Sequence, residues 1–551
     1  MSQTVIDYVL GRLKQLGIKD VFGVPGDYSF GISDAICTDR DLRWIGCSNE
    51  LNAAFAADGY ARLNGFAALA TTFGVGELIA LGGVAGSYTE HLPVFHLVGM
   101  PNLRTQREHR IVHHTLGTGE FDLFMKMTQP AVCASAILTP ENAMAEMARL
   151  VAAAITHRRP VYLAIPADYA TAPLPEGTAT VTPTPLPASD PATLAEVVNA
   201  MAEKLAQAET AAILAGYLIT RLGCSAEAQA LVEATGLPFA TMLMDKTALD
   251  ETHPQYIGMY DGRLMNPEIR EFIEDCDCVL NLGALWSDLN TGAYTANLNP
   301  TRVIEIRHHS VRVGHAFFPN IEMPDALVAL AKQVSKKNVP APQVHGLGEP
   351  VGSPGDQITP DSLYPRWEKF FKPGDIVVAE TGTVSMGLGF ARMPSGSTFL
   401  NQTLWASMGW ATPAAFGAAL AAPGRRTLLI TGEGSHQFTI QELSQICRYG
   451  LKPIIFCLNN QGYTIERLLC KDPMSCYNEI AQWNYQQFPG VFGCTDWFTT
   501  RVTTNAELDA AMAQAETCGT GAYIEVMTDK MAASPLALKL HEAIQTLYGS
   551  Q

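Results

Sequence analysis

Short apolar runs and amphipathic stretches alternate along the whole chain. Near the N-terminus Val5, Val9, Leu13 and Leu16 recur at helical spacing and predict a helix with one apolar face. Apolar runs at 21–24, 43–46, 211–214, 279–282, 303–306, 376–379, 428–430, 453–458 and 522–527 predict strands, and a last helix is expected over 536–547. Strands joined through helices need crossovers, so the sheets should be mostly parallel. Two stretches interrupt the alternation: 172–193 is rich in Pro and Thr, and 336–360 in Pro and Gly. Both read as extended linkers. They divide the chain into 1–175, 190–338 and 358–551, three expected α/β domains, each a doubly wound parallel sheet. Whether the outer two repeat one architecture stays open, because no sequence identity links them.

One run carries most of the chemistry, 428–466. A strand breaks at Gly432-Glu433-Gly434-Ser435, and an amphipathic helix follows with Ile440, Leu443, Ile446 and Cys447 on one face. A second strand ends at Asn459-Asn460-Gln461-Gly462. In a strand–helix–strand unit both strand ends meet the edge where α/β sheets bind ligands. Gly432 and Gly434 allow close approach of a phosphate, and Ser435 with the next amides can bond an anion. A carboxylate at Glu433, the Asn460 amide oxygen and the Gly462 carbonyl are hard ligands that suit Mg²⁺. A lone GxG is weak by itself: Lys is missing for a phosphate-binding P-loop, and position 437 is Gln rather than Gly.

Other candidates are weaker taken singly. Asp27 leaves a strand in Pro25-Gly26-Asp27, a common turn. Glu50 follows Ser48-Asn49 in a helix's first turn, where it suits the dipole or, beside an alanine-rich buried face, holds a raised pKa. His113-His114 is a bare histidine pair, and Thr381 and Thr383 are two loop hydroxyls. A second pair, His308-His309, has no motif around it and reads as structural.

Taken in order, PGD, NELNA…DGYAR, HHTLG, ETGT, GEGS and NNQGYTIE resemble the thiamine-diphosphate-dependent 2-oxo-acid decarboxylases, the pyruvate and indolepyruvate decarboxylase family. The likeness runs over essentially the whole chain. It implies a pyrimidine-binding domain, a middle domain and a diphosphate domain, with thiamine diphosphate and Mg²⁺ as cofactors. It further implies that Glu433, Asn460 and Gly462 hold the metal, and that Glu50 activates the pyrimidine. Asp27, His113, His114 and Glu466 would handle protons. Thr381, Thr383, Gly434, Ser435, Tyr463, Thr464 and Ile465 would line the cofactor, with Met408 wedged beneath it and the Ala406 carbonyl bonding its aminopyrimidine. Two departures stand out: Glu433 replaces the family's Asp, and Ala406 its usual Gly. The segment 286–292 resembles a loop reaching the substrate pocket, so Leu289, Ser385 and Ile465 should set substrate size. Ile465 and Thr381 are pyruvate-like, whereas Leu289 and Ser385 leave room. Pyruvate turnover with tolerance of longer 2-oxo acids is therefore expected, in a homotetramer built as a dimer of dimers with sites between subunits.

Composition trims the alternatives. A net charge of −17 argues against a nucleic-acid surface. No apolar run is long enough to span a bilayer, and the N-terminus lacks the basic start of a signal peptide. Twelve scattered cysteines without CxxC read as reduced, cytoplasmic thiols. No Gly-rich loop marks a nucleotide or FAD in the middle third. The rivals are a carboligase of the acetolactate synthase type, a flavin-dependent pyruvate oxidase, and an inactive thiamine-binding regulator.

Overall fold

The computed structural model describes residues 3–175 and 184–548, with side chains to 543. The chain forms two compact units. One comprises Met1–Leu186, Thr412–Gly424 and Thr439–Leu451, and the other the remainder.

The first unit is built on six strands: β1 Asp20–Gly23, β2 Arg43–Gly46, β3 Ala67–Thr72, β4 Val94–Met100, β5 Ala134–Ile137 and β6 Val161–Pro166. They lie in the order 2-1-3-4-6-5, and every pairing is parallel. The expected N-terminal helix spans Val5–Gln15 and buries Val5, Val9 and Leu13 against this sheet. The helix Glu50–Asn64 starts where its cap predicts, with the Asn49 side chain accepting the Asn52 amide. Such a cap contributes about 1 kcal/mol. Its alanines let neighbouring backbones approach closely: a Cβ on Gly83 would lie 2.5 Å from Ala54.

The second unit holds two sheets. In the middle of the chain lie β7 Ala211–Ala215, β8 Phe239–Thr241, β9 Tyr256–Met259, β10 Cys278–Leu282, β11 Val303–Arg307, β12 Ser310–Val313 and β13 Ala316–Pro319. β12 and β13 are antiparallel, which the parallel-sheet expectation did not include. His308-His309 is the two-residue turn between β11 and β12, and His309 Nδ1 lies 2.8 Å from Glu322. A His-His turn carries none of the Asn-Gly chemistry that announces a hairpin.

The third sheet contains β14 Ile376–Ala379, β15 Thr398–Leu400, β16 Thr427–Gly432, β17 Ile454–Asn459, β18 Phe498–Val502 and β19 Ala522–Met527. Counted from β14, the order is again 2-1-3-4-6-5, all parallel. The two outer sheets share one topology, answering the question that the sequence left open.

Two boundaries move. The helix after β16 begins at Glu433 itself and is interrupted by a 3-10 turn at Ile440–Glu442. The first linker ends early, because Pro191 opens the helix Pro191–Gln207, and its residues 176–183 lie outside the described residues. Among the described residues ten cysteines are free and Cys447 and Cys494 are not, which departs from the all-thiol expectation. No described helix is long and apolar enough to cross a membrane.

Candidate active site

Each outer sheet presents a cluster at the carboxyl edge of its strands. In the first unit, Asp27 opens a short turn beyond β1. His113 Nε2 lies 2.8 Å from its carboxylate. These side chains are 57% and 45% exposed, so the pair adds little stability. The His113 ring stacks on Tyr28 at 4.9 Å and meets His114 edge-on at 4.7 Å. One ligand-type atom from each of Asp27, His113 and His114 falls within 4.8 Å of the others. Glu50 is half-buried at the start of its helix, and desolvation raises its carboxyl pKa while the charge of His114 pulls it back. The turn between β3 and the helix Val75–Thr89 packs against both groups. A Cβ on Gly76 would sit 3.1 Å from the Glu50 carboxylate, and Gly74 presses on the His114 carbonyl.

In the second unit β14, β16 and β17 run parallel and end together. Glu433 follows β16, is 1% exposed, and accepts the Gly462 amide at 2.7 Å. Burial pushes its carboxyl up to about 7. Gly462 has φ +143°, and a side chain there would strike the Arg467 guanidinium and the Asn478 carbonyl, so only glycine fits. Arg467 is fully buried and donates to the carbonyls of Asn460 at 3.2 Å, Gln461 at 2.6 Å and Lys530 at 3.1 Å. Gly434 faces the Tyr463 ring, 2.6 Å from a notional Cβ, and the half-buried Ser435 stands one residue further along the helix. The Thr464 hydroxyl donates to Lys530.

Thr381 and Thr383 follow β14 but differ. Thr381 is half-buried, while Thr383 Oγ1 accepts the Ser534 amide at 2.8 Å and so ties down the C-terminal helix Pro535–Tyr548. Between β14 and Thr381 sits Glu380, fully buried, accepting the amides of Thr381 and Ala411 at 3.1 and 3.3 Å. Burial raises its carboxyl to about 7. Ala406 adopts φ +52°, and Met408 is 38% exposed nearby in sequence. Leu289 and Ile465 pack into one apolar cluster with Leu243, Met386 and Leu536. Ser385 is buried on the helix Thr383–Leu388, and Glu466 is exposed beside Ile465 on the helix Thr464–Leu469. The C-terminal helix packs on both of these helices.

The oxygen atoms near Glu433 test the metal reading. One end of the Asn460 side-chain amide lies 2.8 Å from the Gly462 carbonyl oxygen and 3.3 Å from a Glu433 carboxylate oxygen. Seated with its NH₂ at that end, the amide donates to both oxygens and accepts from the Thr464 hydroxyl. A carboxylate, an amide and a carbonyl thus gather at one point. The set of carboxylate, amide and carbonyl oxygens fits a magnesium-like ion.

Family models match three parts of the chain. The thiamine pyrophosphate enzyme N-terminal TPP binding domain matches residues 3–123, the central domain 198–333, and the C-terminal TPP binding domain 380–526. The chain is 39% identical to the alpha-keto-acid decarboxylase of Mycobacterium leprae, over 96% of this chain and 93% of that one. It belongs to the thiamine-diphosphate-dependent 2-oxo-acid decarboxylases. Within that family it is also 38% identical to pyruvate decarboxylase isozyme 1 of Saccharomyces cerevisiae, over 92% of each. The fold matches benzoylformate decarboxylase from Polynucleobacter necessarius with a TM-score of 0.79 at 18% identity, covering 96% of this chain and 99% of that one.

Three residues escaped the sequence reading: Glu77, Glu380 and Arg467. Glu380 opens the quoted ETGT, and Arg467 follows Glu466 directly. Nothing local separates them from surface charges; only burial does.

Proposed function

We propose that this protein removes CO₂ from pyruvate and from longer 2-oxo acids, releasing the aldehyde, with Mg²⁺ held by Glu433, Asn460 and the Gly462 carbonyl. The carboxylate, amide and carbonyl groups gathered at the end of β16 and β17, with the Gly462 amide donating to Glu433 at 2.7 Å, support the metal most directly. Thiamine diphosphate, when bound, supplies the electron sink that the carbanion left by CO₂ loss requires.

The protein's own groups do the rest. Glu50, its carboxyl pKa raised by burial, holds a proton at the pyrimidine ring nitrogen. The Asp27–His113 pair and His114 hold and deliver the proton that ends on the aldehyde carbon. Glu466 shares that work from the other cluster. The apolar wall of Leu289, Ile465 and Met386 keeps the substrate carboxylate poorly solvated, which favours its departure as CO₂. The exposed apolar side chains Val75, Ile79 and Leu116, at 45%, 44% and 58%, support a dimer that covers them, and a tetramer of two such dimers completes the proposal. Ten free cysteines support a cytoplasmic setting.

The test is aldehyde release from a size series of 2-oxo acids, with and without thiamine diphosphate and Mg²⁺. Activity that needs both and extends beyond pyruvate is expected. Acetolactate as the main product from pyruvate would overturn the decarboxylase reading. In Glu433→Ala the metal requirement should rise by tenfold or more; an unchanged Mg²⁺ titration would remove Glu433 from the metal site.

A further inference from the structure

Glu77 lies three residues past the Gly74 turn, in the first turn of the helix Val75–Thr89, and is fully buried. One carboxylate oxygen accepts the Gly74 amide at 2.8 Å, and the other accepts the Tyr162 hydroxyl from β6, also at 2.8 Å. Both oxygens are therefore spent on neutral donors, and together they fix the turn to the sheet. Gly74 is held at φ +66°, with its Cα against the His114 carbonyl so closely that a Cβ would collide. His114 is itself at φ +61°, a backbone region that side-chain-bearing residues seldom occupy. Two positions on, Gly76 brings the same turn to the Glu50 carboxylate, where a Cβ would lie 3.1 Å away. One buried carboxylate thus anchors the short segment on which two of the site's groups rest from either side.

The topology gives this turn a counterpart. β3 and β16 are third in their sheets, and each leads directly to a helix with a buried glutamate in its first turn, Glu77 and Glu433. Glu433 faces the ligand edge oxygens, whereas Glu77 turns back onto its own backbone.

We propose that Glu77 is a positioning residue for the decarboxylation, holding the 74–76 turn so that Glu50 and His114 keep their places. The proposal rests on the assignment of Glu50 and His114 made above. It concerns geometry rather than charge, so a neutral acceptor at this position should serve.

The test compares Glu77→Ala and Glu77→Gln. In Glu77→Ala the turn is released, and kcat per cofactor-loaded site should fall about 10- to 100-fold while KM stays within about threefold, the penalty expected of a displacement near 1 Å. Glu77→Gln keeps an amide oxygen for the Gly74 N–H and should retain kcat within about threefold. In the cofactor-free protein, deuterium uptake at residues 113–117 should rise in Glu77→Ala and not in Glu77→Gln. Wild-type kcat with unchanged uptake in folded Glu77→Ala overturns the proposal, as does an effect confined to melting temperature. If Glu77→Ala does not fold, Gly74→Ala carries the test: it leaves Glu77 intact but drives a methyl into the His114 carbonyl, and normal kcat there is equally fatal. Glu50→Gln and His114→Ala separate the two levels. If both stay fully active, the site assignment fails; if both lose activity while Glu77→Ala does not, only this inference fails.

Discussion

Ala406 shows how a single departure from the family pattern is absorbed. Its φ of +52° lies in the left-handed region, where an L-residue costs about 1–2 kcal/mol that glycine does not. Glycine has its own cost in unfolded-chain freedom, about 0.5–1 kcal/mol. Ala406→Gly should therefore stabilise the protein by roughly 0.5 kcal/mol, read as a higher midpoint in urea, with the backbone carbonyl kept in place. Ser385 is the residue at which substrate size should be most easily changed, because it is buried yet smaller than its apolar neighbours. In Ser385→Phe, kcat/KM for branched or aromatic 2-oxo acids should drop about 10- to 100-fold, with pyruvate affected far less. A uniform loss across the series would mean that the ring distorts the helix Thr383–Leu388 instead of narrowing the pocket.

The loop after β17 is a rigid element, and its rigidity comes from beneath. Arg467 spreads its guanidinium over the carbonyls of Asn460, Gln461 and Lys530 and reaches Glu479 at 3.3 Å. It thereby fixes both the Asn460 backbone and the approach to Gly462, while its charge favours ionised Glu433. Groups of this kind behind metal ligands typically change metal affinity 10- to 100-fold when removed. Arg467→Met should raise the Mg²⁺ concentration for half-maximal cofactor retention at least tenfold, measured by equilibrium dialysis. Retention at wild-type Mg²⁺ would show that the loop holds its shape without the cation. Sequence spacing named candidate ligands in this loop but not their support. NNQG and GYTIE are visible as patterns, whereas a buried arginine is spelled like an exposed one.

Across the molecule, burial raises the pKa of several carboxyls, and this has a consequence for stability. Glu380 rises from an ordinary 4.5 to about 7 because desolvation outweighs its amide hydrogen bonds. Below about pH 4.5 it is protonated both folded and unfolded, and its contribution is fully present. Between 4.5 and 7 the unfolded chain ionises while the folded chain keeps its proton, so stability declines by roughly 3 kcal/mol and then levels off. The cofactor-free protein should accordingly melt lower at pH 7.5 than at pH 5.5, and Glu380→Gln should flatten that slope. An equal slope in the variant would place the titration elsewhere, with Glu77, raised to about 7 by burial, next in line. The same large view reveals the shared 2-1-3-4-6-5 order of the outer sheets, which aligns β3 with β16 and the two glutamate turns with each other.

Local pattern was enough for nine of the nineteen described strands, the capped helix behind Glu50, the carboxyl-edge loops and the ordered set of motifs, because periodicity, capping and turn chemistry act over a few neighbouring residues. It was enough, too, to bring Asp27 and His113 under suspicion, though not to show that they meet at 2.8 Å. Folding decided which charges lose their water: Glu77 against Tyr162, Glu380 against Ala411, Arg467 over three carbonyls. Folding also brought Glu433, Asn460 and Gly462 together, and ended the middle sheet in a hairpin. Burial and pairing depend on what distant segments bring alongside, and no short window of residues contains that information.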